Sequence, residues 1–581
     1  MEKFKSLFSL DLRSLAFARF LIGLLCFVDI ANRIPQINTF YSDNGILSRS
    51  VLMNNFELPW MMSILNINGS AFFALIVALI GLITSLFLIV GWRTKISLFV
   101  TWVVIMSFHA RFPLVNHGGD NLLRMILFWS FFLPINSYYS VDSVLSDTPK
   151  IRPAYFGLAS IAWIMQVLFV YLFTFLYKWD PGWYKNFDSL YYAMNLDMFT
   201  TSLGKKLLFF PSLMKFLSFF AFALEGVGPI LLLIPWKISF WRSLTVFLFF
   251  ALHIGIWMTL ELGNFAPACM ILWVALIPSI FWESKFFKNN LQIKSTLYYD
   301  PDCGFCRKFC FLIKEFLFLS DLTILSGDSD INILKHIQEK KSWVLVNDQN
   351  VFIRGRVFYE LLQQSDFFLL RGIGQLTKKI PLDYLYNFTS QKRKILGIMI
   401  NEVGAEKVYA EEGILKKSFI TFFILIIFAW NVEGITNSKY FTVGTPWREI
   451  VFGLQLNQQW NMFAPTPMKD DGWFVAEANL EGGIKWDILN NKPINFNKQE
   501  NVQETFPSSQ WRKFLVNLRI DHNDTYKLWF GRYLCRRWNE THSKSLDLLK
   551  YTLYFVRETT SFPGTSLPVP VNEVVWNHSC R

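Results

Sequence analysis

The chain has 581 residues, of which 52% are hydrophobic and 18% are aromatic, and its formal net charge is +12. Soluble domains do not carry that apolar load, so the composition excludes a purely soluble protein and leaves room for a membrane domain with one or two soluble domains. Because the basic residues fall between apolar segments rather than in one stripe, they indicate anchoring at the cytoplasmic membrane surface and argue against nucleic acid as a partner. The expected partner is the lipid bilayer.

The apolar segments predict a polytopic α-helical membrane protein with about nine spans, since each spanning helix needs ~20 mainly apolar residues. The first segment contains Arg19 and ends without a small-residue cleavage site, which indicates a membrane helix rather than a signal peptide. The candidate spans are 14–32, 71–91, 96–114, 121–136, 157–178, 216–235, 243–262, 264–282 and 418–435. Residues 1–290 are thus a predicted helical membrane domain, and 415–436 is the predicted final transmembrane helix.

The loops on the side of the N-terminus carry more Lys and Arg than the opposite loops, which places the N-terminus in the cytoplasm. These basic residues are Lys3, Lys5, Arg13, Arg93, Lys95, Lys150, Arg152, Lys237, Arg242, Lys285, Lys288 and Lys294. After eight spans the chain returns to the cytoplasm, so residues 295–400 are predicted to be cytoplasmic. The final span then exports residues 440–581.

The sequence DPDCGFC at 300–306 follows the apolar run TLYY and precedes RKFCFLIKEFLF. This order predicts a short strand that delivers Cys303 and Cys306 to the first turn of a helix, where backbone N–H groups and the helix dipole stabilise a thiolate. The predicted chemistry is thiol–disulfide exchange, with Cys303 attacking and Cys306 resolving. Two alternatives stay open: half of a zinc site with Cys310 and His336, or inert core cysteines.

Residues 295–400 alternate between strand and helix patterns, which is compatible with a thioredoxin-like α/β domain inserted before the last span. Residues 440–581 are predicted to form a β-rich extracytoplasmic domain, because short alternating runs such as WFVAEANL and IKWDIL are separated by turn sequences. The run LDLLKYTLYFVRE is compatible with either helix or strand. Cys535 and Cys580 are able to form one disulfide if this domain is extracytoplasmic.

Several ionisable residues fall at or near membrane depth, where an unpaired charge costs several kcal/mol and a functional role is the default hypothesis. They are His117, Asp120, Lys178, Glu225 and His253.

Each of the last three also has an ordinary structural explanation. Lys178 is able to extend its amine to the membrane interface, Glu225 to pair with Arg124, and His253 to act as a hydrogen-bonded core histidine. No metal site is predicted.

The stretch YYDPDCGFCRKFC resembles the DCC family, and VNDQNVFIRGRVFYELL and IPLDYLYNFTSQKRKIL resemble later segments of that family. The resemblance implies a thioredoxin-like fold and thiol–disulfide oxidoreductase activity at Cys303 and Cys306. The chain departs from the family at Pro301, where the family usually has Gly.

A second resemblance covers most of 10–282 and part of 440–490. The matching pieces are NHGGDNLLR, NSYYSVDSVL, YKWDPGW, ALEGVGPILLLIP, HIGIWMTLELGNF and QQWNMFAPTP. In their order and spacing they resemble the HTTM family, whose membrane domain is shared with vitamin K-dependent gamma-carboxylase. The GGDN form, with Gly118, Gly119 and Asp120 after the histidine, departs from true carboxylases and is typical of bacterial HTTM proteins.

The HTTM resemblance implies that Lys178 is the base that deprotonates reduced vitamin K or menaquinone, and that His117 matches a histidine of the carboxylase. It also implies that Lys178 lies in an apolar pocket near Trp179 and Trp183. Burial or a neighbouring cation would be needed to keep its amine neutral. Asp120, Glu225 and His253 are candidates for the same substrate or cofactor pocket.

These features predict a membrane-bound redox enzyme that acts on an unknown thiol or protein substrate and is coupled to a quinone. Two alternatives remain. One is a quinol-dependent carboxylase-like enzyme, and the other is a non-catalytic redox-sensing membrane scaffold. The sequence contains no Walker-type phosphate loop, no G-x-S-x-G and no HExxH, which argues against nucleotide hydrolysis, serine hydrolase chemistry and zincin activity.

Overall fold

The structure is a computed structural model. It describes residues 1–55, 62–146, 153–284, 287–288, 294–340, 342–347, 350–377, 383, 386–387, 412–561 and 569–581. Much of the segment IPLDYLYNFTSQKRKIL lies outside these residues.

Eight helices form the N-terminal part of the bundle. They are α1 (Leu12–Arg33), α2 (Ala71–Val90), α3 (Thr94–Arg111), α4 (Gly118–Ser130), α5 (Leu158–Tyr177), α6 (Pro211–Leu231), α7 (Ile238–Thr259) and α8 (Phe265–Val274). Shorter helices connect them at Glu2–Phe8, Ile37–Tyr41, Arg49–Asn55, Val141–Leu145, Pro181–Tyr184, Ser189–Met194, Ser202–Leu207 and Ser279–Glu283. A two-stranded antiparallel sheet of β1 (Leu10–Asp11) and β2 (Ala154–Tyr155) lies at one end.

Six helices of the described chain are long and apolar enough to cross a membrane: the one that begins as α1, then α2, α5, α6, α7 and the later helix Ile414–Thr436. The chain is therefore a multi-pass membrane protein by length and composition. Helices also form at the other three predicted spans, but α4 and α8 have 13 and 10 residues. At 1.5 Å per residue these are shorter than the ~30 Å apolar core of a bilayer. The count of nine spans is not confirmed.

Helix α1 begins and ends through specific local contacts. The Asp11 side chain caps its start by accepting a 2.8 Å hydrogen bond from the Arg13 amide. Buried Arg19 donates from Nη2 to the carbonyl of Tyr139 at 2.6 Å. Gly91 ends α2 in the left-handed region at φ 67°, and a Cβ there would lie 2.3 Å from the Arg19 guanidinium. Glycine is thus required where α1 and α2 meet the loop that contains Tyr139.

Residues 295–377 form an α/β unit around a four-stranded sheet. Its elements are β3 (Ser295–Tyr299), α9 (Gly304–Phe316), β4 (Thr323–Ser326), α10 (Ile331–Lys340), β5 (Val344–Asn347), β6 (Asn350–Ile353), α11 (Gly355–Gln364) and α12 (Phe368–Thr377). The strand order is β4-β3-β5-β6, with β3 and β4 parallel and the other pairs antiparallel. The parallel pair requires the crossover that α9 provides. These elements match the predicted alternation of strand and helix.

The chain then crosses the bundle in α13 (Ile414–Thr436), turns through Trp447–Gly453, and enters a second soluble unit. That unit contains β7 (Asp470–Leu480), β8 (Lys485–Asp487), α14 (Ser509–Leu518), α15 (Asp524–Thr541), β9 (Leu548–Thr559) and β10 (Val571–Ser579). Its antiparallel sheet has the order β10-β9-β7-β8. The ambiguous run LDLLKYTLYFVRE is strand β9. The two helices were not predicted, so the unit is mixed α and β.

The two soluble units contact opposite ends of α1. Near its start, the Tyr139 carbonyl accepts a hydrogen bond from Arg19, and the Tyr139 amide donates a hydrogen bond to the Glu315 carboxylate of α9 at 3.1 Å. Beyond its far end, Gln36 accepts a hydrogen bond from the Trp511 indole of α14 at 3.1 Å. A helix of 22 residues spans about 33 Å. The sheet of β3 to β6 and the sheet of β7 to β10 thus lie on opposite sides of the bundle.

Candidate functional site

A cavity of about 320 Å³ lies between α5, α6 and α7. Most of its wall is apolar, and segments after the last span contribute Met462 and Phe463. The wall contains one lysine, one glutamate and one histidine, namely Lys178, Glu225 and His253. A largely apolar cavity with a few convergent polar groups is the usual form of a small-molecule site.

Lys178 and Glu225 form a buried ion pair. Lys178 Nζ lies 2.8 Å from each carboxylate oxygen of Glu225, and the two side chains are only 8% and 9% exposed. Lys178 caps the C-terminus of α5, where its amide donates to the carbonyl of Thr174. The pairing of Glu225 with Arg124 is therefore wrong, and the Lys178 amine is buried against Glu225 rather than extended to solvent.

The surroundings of Lys178 match the prediction in one respect and differ in another. The side chain is buried, as the base hypothesis requires, but its charged neighbour is a carboxylate and not a cation. Because a proton moving from Nζ to a Glu225 oxygen leaves a neutral amine and a neutral acid, the pair is able to hold one proton between two positions.

The two tryptophans of the YKWDPGW segment occupy different places. The ring of Trp183 lies 4.4 Å from Lys178 Nζ, and its indole N–H donates to the carbonyl of Phe463 at 3.2 Å. Trp179 is 63% exposed and packs against the ring of Phe175 outside the cavity wall. The structure thus brings Trp183 to the predicted pocket and corrects the placement of Trp179.

His253 lies in the cavity wall on α7 and belongs to a buried hydrogen-bond chain. Its Nε2 lies 2.7 Å from the hydroxyl of Tyr171, which also accepts a 2.7 Å hydrogen bond from the Trp273 indole. Among the described residues His253 Nδ1 has no hydrogen-bond partner. His253 is thus a buried histidine that is hydrogen-bonded at Nε2, which matches the structural explanation given for it from the sequence.

His117 and Asp120 lie behind the cavity wall rather than in it. They form the first turn of α4, where the His117 amide donates to Asp120 Oδ2 at 2.9 Å. A Cβ at Gly119 would come within 2.3 Å of the backbone nitrogen of Phe265, which lines the cavity. The glycine therefore allows α4 and α8 to approach closely. The structure does not bring His117 to Lys178.

Asp120 instead joins a buried cluster of charges that the sequence analysis missed. Arg33 Nε donates to Asp29 at 2.9 Å, and Arg33 Nη2 lies 3.0 Å from His109 Nε2 and 3.4 Å from Asp120. Asn264 closes the cluster by donating to Asp29 at 2.7 Å. The spacing of Asp29 and Arg33, four residues apart in the first apolar segment, was the available signal.

Asp29, His109 and Asp120 also have the spacing of metal ligands, because one ligand atom from each lies within 4.8 Å of the others. The guanidinium of Arg33 contacts all three side chains. The Arg33 guanidinium thus provides the positive charge between these three side chains, and the residues do not fit an additional metal ion.

Cys303 and Cys306 form a disulfide with their Cα atoms 5.2 Å apart. Cys303 is the N-cap of α9, and its sulfur accepts a 3.2 Å hydrogen bond from the Cys306 amide. Cys310 is buried in the core of the sheet, and burial raises the pKa of its thiol to about 12. His336 is exposed on α10. Among the described residues these side chains do not form a metal-ligand group, which removes the support for the zinc alternative.

The disulfide and the Lys178 cavity lie at opposite ends of the bundle. The first turn of α5 follows β2, which pairs with β1 beside Arg13, while Lys178 stands at the other end of α5. The 20 residues of α5 span about 30 Å. That separation excludes direct contact between the two sites.

A second disulfide joins Cys535 of α15 to Cys580 after β10. It lies in the soluble unit on the same side as the cavity, because Met462 and Phe463 lead into that unit and line the cavity.

No protein-family model matches the chain, and no curated protein or solved structure gives a significant match.

Proposed function

We propose that this chain is a membrane-bound redox enzyme whose Cys303–Cys306 pair carries out thiol–disulfide exchange. The observation that carries the proposal is the disulfide at the start of α9, where the Cys303 sulfur accepts the Cys306 amide hydrogen. A donor at that position stabilises a thiolate on Cys303, as do the remaining N–H groups and dipole of the helix. Cys303 and Cys306 are partly exposed, whereas Cys310 is buried, and this exposure argues against the alternative that the pair consists of inert core cysteines.

The exchange proceeds by two sulfur displacements. The Cys303 thiolate attacks a substrate disulfide, one substrate thiolate leaves, and a mixed disulfide forms. The Cys306 thiolate then attacks Cys303, which closes the Cys303–Cys306 bond and releases the second substrate thiol. Two electrons thus pass from the cysteine pair to the substrate. A thiol protein or another dithiol then reduces the Cys303–Cys306 disulfide with two further electrons.

The order of elements around β3 supports a thioredoxin-like domain of the DCC type. The helix that carries both cysteines follows a central strand, and the parallel β3–β4 pair is extended by the antiparallel strands β5 and β6. In this arrangement the cysteines lie at the carboxyl end of β3, where ligands and substrates of open α/β sheets usually bind.

For the topology, we propose that the N-terminus and the Cys303 unit face the cytoplasm and that residues 440–581 are extracytoplasmic. The placement of the two units at opposite ends of α1 supports this assignment. The Cys535–Cys580 bridge also supports it, because structural disulfides persist in oxidising compartments.

A redox titration of the full chain, with thiol trapping at Cys303 and Cys306, tests the proposal. The expected result is a reversible two-electron couple together with turnover of a dithiol or disulfide substrate. A couple without turnover of any substrate would contradict it in favour of a redox-sensing scaffold. Adding reduced menaquinone to the oxidised chain tests coupling to a quinone, because the quinol is oxidised and the Cys303–Cys306 disulfide is reduced by two electrons only if the two halves exchange electrons.

The cavity supports a second candidate, quinol-dependent carboxylation of the kind implied by the HTTM resemblance. Reduced vitamin K or menaquinone would supply an oxidisable quinol there. The residues fit such a group, since the cavity is apolar and its wall contains Lys178, Glu225 and His253. Lys178 and Glu225 would accept a hydroxyl proton as a pair, and the apolar wall would exclude water. Carbon dioxide incorporation into a glutamyl peptide, measured with Lys178→Ala as the control, tests this activity.

A further inference from the structure

The helix that carries the cysteine pair begins beside a second helix at one edge of the β3–β6 sheet. Cys303 is the N-cap of α9 after β3, and Arg354 is the N-cap of α11 after β6. Because β3 and β6 are both antiparallel to β5, they end at the same edge of the sheet. Cys310 of α9 and Val357 of α11 are buried in the same core, so both helices cover the same face. The two N-caps therefore lie at one edge and on one face.

Trp343, which precedes β5, lies between the two helices and indicates how far apart they begin. Its ring centre is 5.6 Å from that of Phe309 in α9 and 5.0 Å from that of Phe358 in α11. Phe309 and Phe358 follow their N-caps by six and four positions, so the helices also begin at a similar level. Helices that pack through one layer of side chains have axes about 8–10 Å apart. Cys303 and Arg354 are therefore separated by about 10 Å.

Arg354 holds a backbone conformation that favours glycine, with a φ of 53° and a ψ of −135°. The Arg354 amide donates to the Ser342 hydroxyl at 2.9 Å, and the Arg354 carbonyl accepts from the Trp343 indole at 3.1 Å. Strain of this kind persists where neighbouring groups enforce it, and it is common at functional sites. Because glycine would occupy the position without strain, the arginine side chain is the feature that needs an explanation.

The Arg354 guanidinium is available to bind an anion. Arg354 is exposed, and among the described residues its side chain makes no hydrogen bond or ion pair. The start of α11 already has its own acceptor, because Asp383 accepts a 2.9 Å hydrogen bond from the Gly355 amide. Arg356, two positions later, is engaged differently, since its Nε lies 3.8 Å from Glu360 Oε1. Arginine binds a carboxylate through two parallel N–H donors, so Arg354 offers an unused carboxylate-binding group beside the cysteine pair.

We propose that Arg354 is a substrate-binding residue of the thiol–disulfide exchange and that it binds a carboxylate of the disulfide substrate. The proposal deepens the first proposed function and rests on it, because it needs a substrate disulfide at Cys303. It names the substrate class as a disulfide with a carboxylate a few bonds from its sulfur, since the long arginine side chain is able to cover most of the gap to Cys303.

The bound carboxylate decides which half of the substrate stays. The Cys303 thiolate attacks the sulfur on the half that Arg354 holds, and the other sulfur leaves as a thiolate. The mixed disulfide on Cys303 keeps its carboxylate at Arg354 until the Cys306 thiolate attacks Cys303 and releases the held half as a second thiolate. Two electrons pass from the cysteine pair to the substrate, as in the exchange described above.

The backbone conformation of Arg354 supplies a variant that removes the charge without adding strain. Arg354→Gly should unfold at the same temperature as the wild-type chain or a higher one. Arg354→Lys keeps one positive charge but loses the paired donors, and Arg356→Gln is the matched control. Arg307→Gln tests the exposed cation that follows Cys306 on α9.

Three small disulfides of nearly the same length serve as probes. They are 3,3′-dithiodipropionate with two carboxylates, bis(2-hydroxyethyl) disulfide without charge, and cystamine with two amines. The full chain in nanodiscs is reduced, separated from the reductant and mixed with one probe. Acid quenching and thiol trapping at Cys303 and Cys306 then give the rate at which their disulfide forms. Each variant is compared with the wild-type chain on the same probe, so the intrinsic reactivity of the probes cancels.

We expect Arg354→Gly to slow the reaction of dithiodipropionate about tenfold more than that of the hydroxyethyl disulfide, the effect of one hydrogen-bonded charge. The reaction of cystamine should become relatively faster. Arg354→Lys should recover part of the loss, high salt should reduce it, and Arg356→Gln should leave all three rates unchanged. Disulfide dimers of the peptides Ac-Cys-Glu-NH2 and Ac-Cys-Gln-NH2 extend the test. A larger effect of Arg354→Gly on the Glu peptide than on dithiodipropionate supports a protein substrate, and a smaller one supports a small acid.

Equal slowing of all three probes by Arg354→Gly overturns the proposal, because it shows that Arg354 acts on the Cys303 thiolate and not on the substrate. Loss of the carboxylate effect in Arg307→Gln but not in Arg354→Gly also overturns it and assigns the carboxylate to α9. Failure of the wild-type chain to react with any disulfide contradicts the proposed exchange itself, and that result is obtained before any variant is compared.

Discussion

The Lys178 ammonium nitrogen lies 2.8 Å from both carboxylate oxygens of Glu225, inside an otherwise apolar cavity. Removing one partner of a buried pair leaves an uncompensated charge, and that loss typically costs 3–5 kcal/mol. Glu225→Leu should therefore destabilise the bundle strongly. The double variant Lys178→Met/Glu225→Leu should regain most of the lost stability, because no charge remains buried. Thermal unfolding in one detergent compares the three chains.

Equal destabilisation by the single and the double variant would contradict an energetically coupled pair. Glu261, which lies near the same end of the bundle and is half exposed, provides the matched control. Its pairing with Arg512 is partly solvated, so Glu261→Gln should change stability by less than about 1 kcal/mol.

Thiol–disulfide exchange should depend on the two cysteines at the start of α9 and not on the third. Cys303→Ser should abolish reduction of a disulfide peptide, and Cys306→Ser should accumulate a mixed disulfide on Cys303, since the resolving thiol is gone. Cys310→Ser is the matched control, because burial keeps that thiol protonated with a pKa of about 12. Full exchange in Cys303→Ser would contradict the assignment of the attacking sulfur.

The stability of the second soluble unit should fall as the pH rises through the range in which Asp471 loses its proton. Burial raises the pKa of this carboxyl to about 7, even though it accepts a 2.7 Å hydrogen bond from the Asp197 amide and Lys498 lies nearby. Between about pH 4 and pH 7 the folded chain keeps a proton that the unfolded chain has lost, so the free energy of unfolding decreases with pH. The total change is at most about 4 kcal/mol.

Asp471→Asn keeps an oxygen that accepts from Asp197 and carries no charge at any pH. The variant should therefore be more stable than the wild-type chain at pH 8 and similar to it at pH 4. Chemical unfolding followed at several pH values measures both curves. The difference between them isolates Asp471 from the other titrating groups, and two parallel curves would show that the carboxyl does not titrate in this range.

The Cys535–Cys580 bridge should stabilise the second soluble unit. The bridge closes a loop with a sequence separation of 45 residues, which corresponds to about 4 kcal/mol in the chain-entropy model. Cys535→Ala/Cys580→Ala should lower the unfolding temperature, and Cys26→Ala, which removes a buried free thiol, is the control for cysteine loss. An unchanged temperature in the double variant would show that packing alone holds α15 against β10.

The topology predicts which cysteines are reached from each side of the membrane. After mild reduction of sealed inverted vesicles, an impermeant maleimide should label Cys303 and Cys306 but not Cys535 and Cys580. Right-side-out vesicles should show the opposite pattern. Labelling of both pairs from one side would contradict the placement of the two soluble units at opposite ends of α1.

Much of the architecture could be predicted from local sequence patterns, which depend only on neighbouring residues. The long apolar runs predicted the six helices that are able to cross a membrane, and alternating runs predicted β3 to β6. Helices α14 and α15 were missed because their apolar faces pack against partners distant in sequence: Phe514 of α14 contacts Phe40 and Phe112, and Tyr526 of α15 contacts Phe112. The ambiguous strand β9 is decided by its pairing with β7 over its length, which no local pattern reveals.

The candidate site was predictable in its members but not in their pairing. Lys178, Glu225 and His253 could be predicted because they are ionisable residues in apolar segments, where a charged side chain is energetically costly and is often functional. The ion-pair partner of Glu225 depends on how α5 and α6 pack, so the sequence alone does not decide between Arg124 and Lys178. Trp179 and Trp183 are four residues apart, and only the short helix Pro181–Tyr184 after α5 turns the second ring toward the amine.

The separation of the cysteine pair from the Lys178 cavity has an electrical consequence. In the proposed topology the two sites lie towards opposite sides of the membrane, so any net passage of electrons from one to the other is a current across much of the bilayer. Each elementary charge that crosses gains or loses about 2.3 kcal/mol per 100 mV of membrane potential. A carrier that linked the two sites would make the direction of electron transfer depend on the membrane potential.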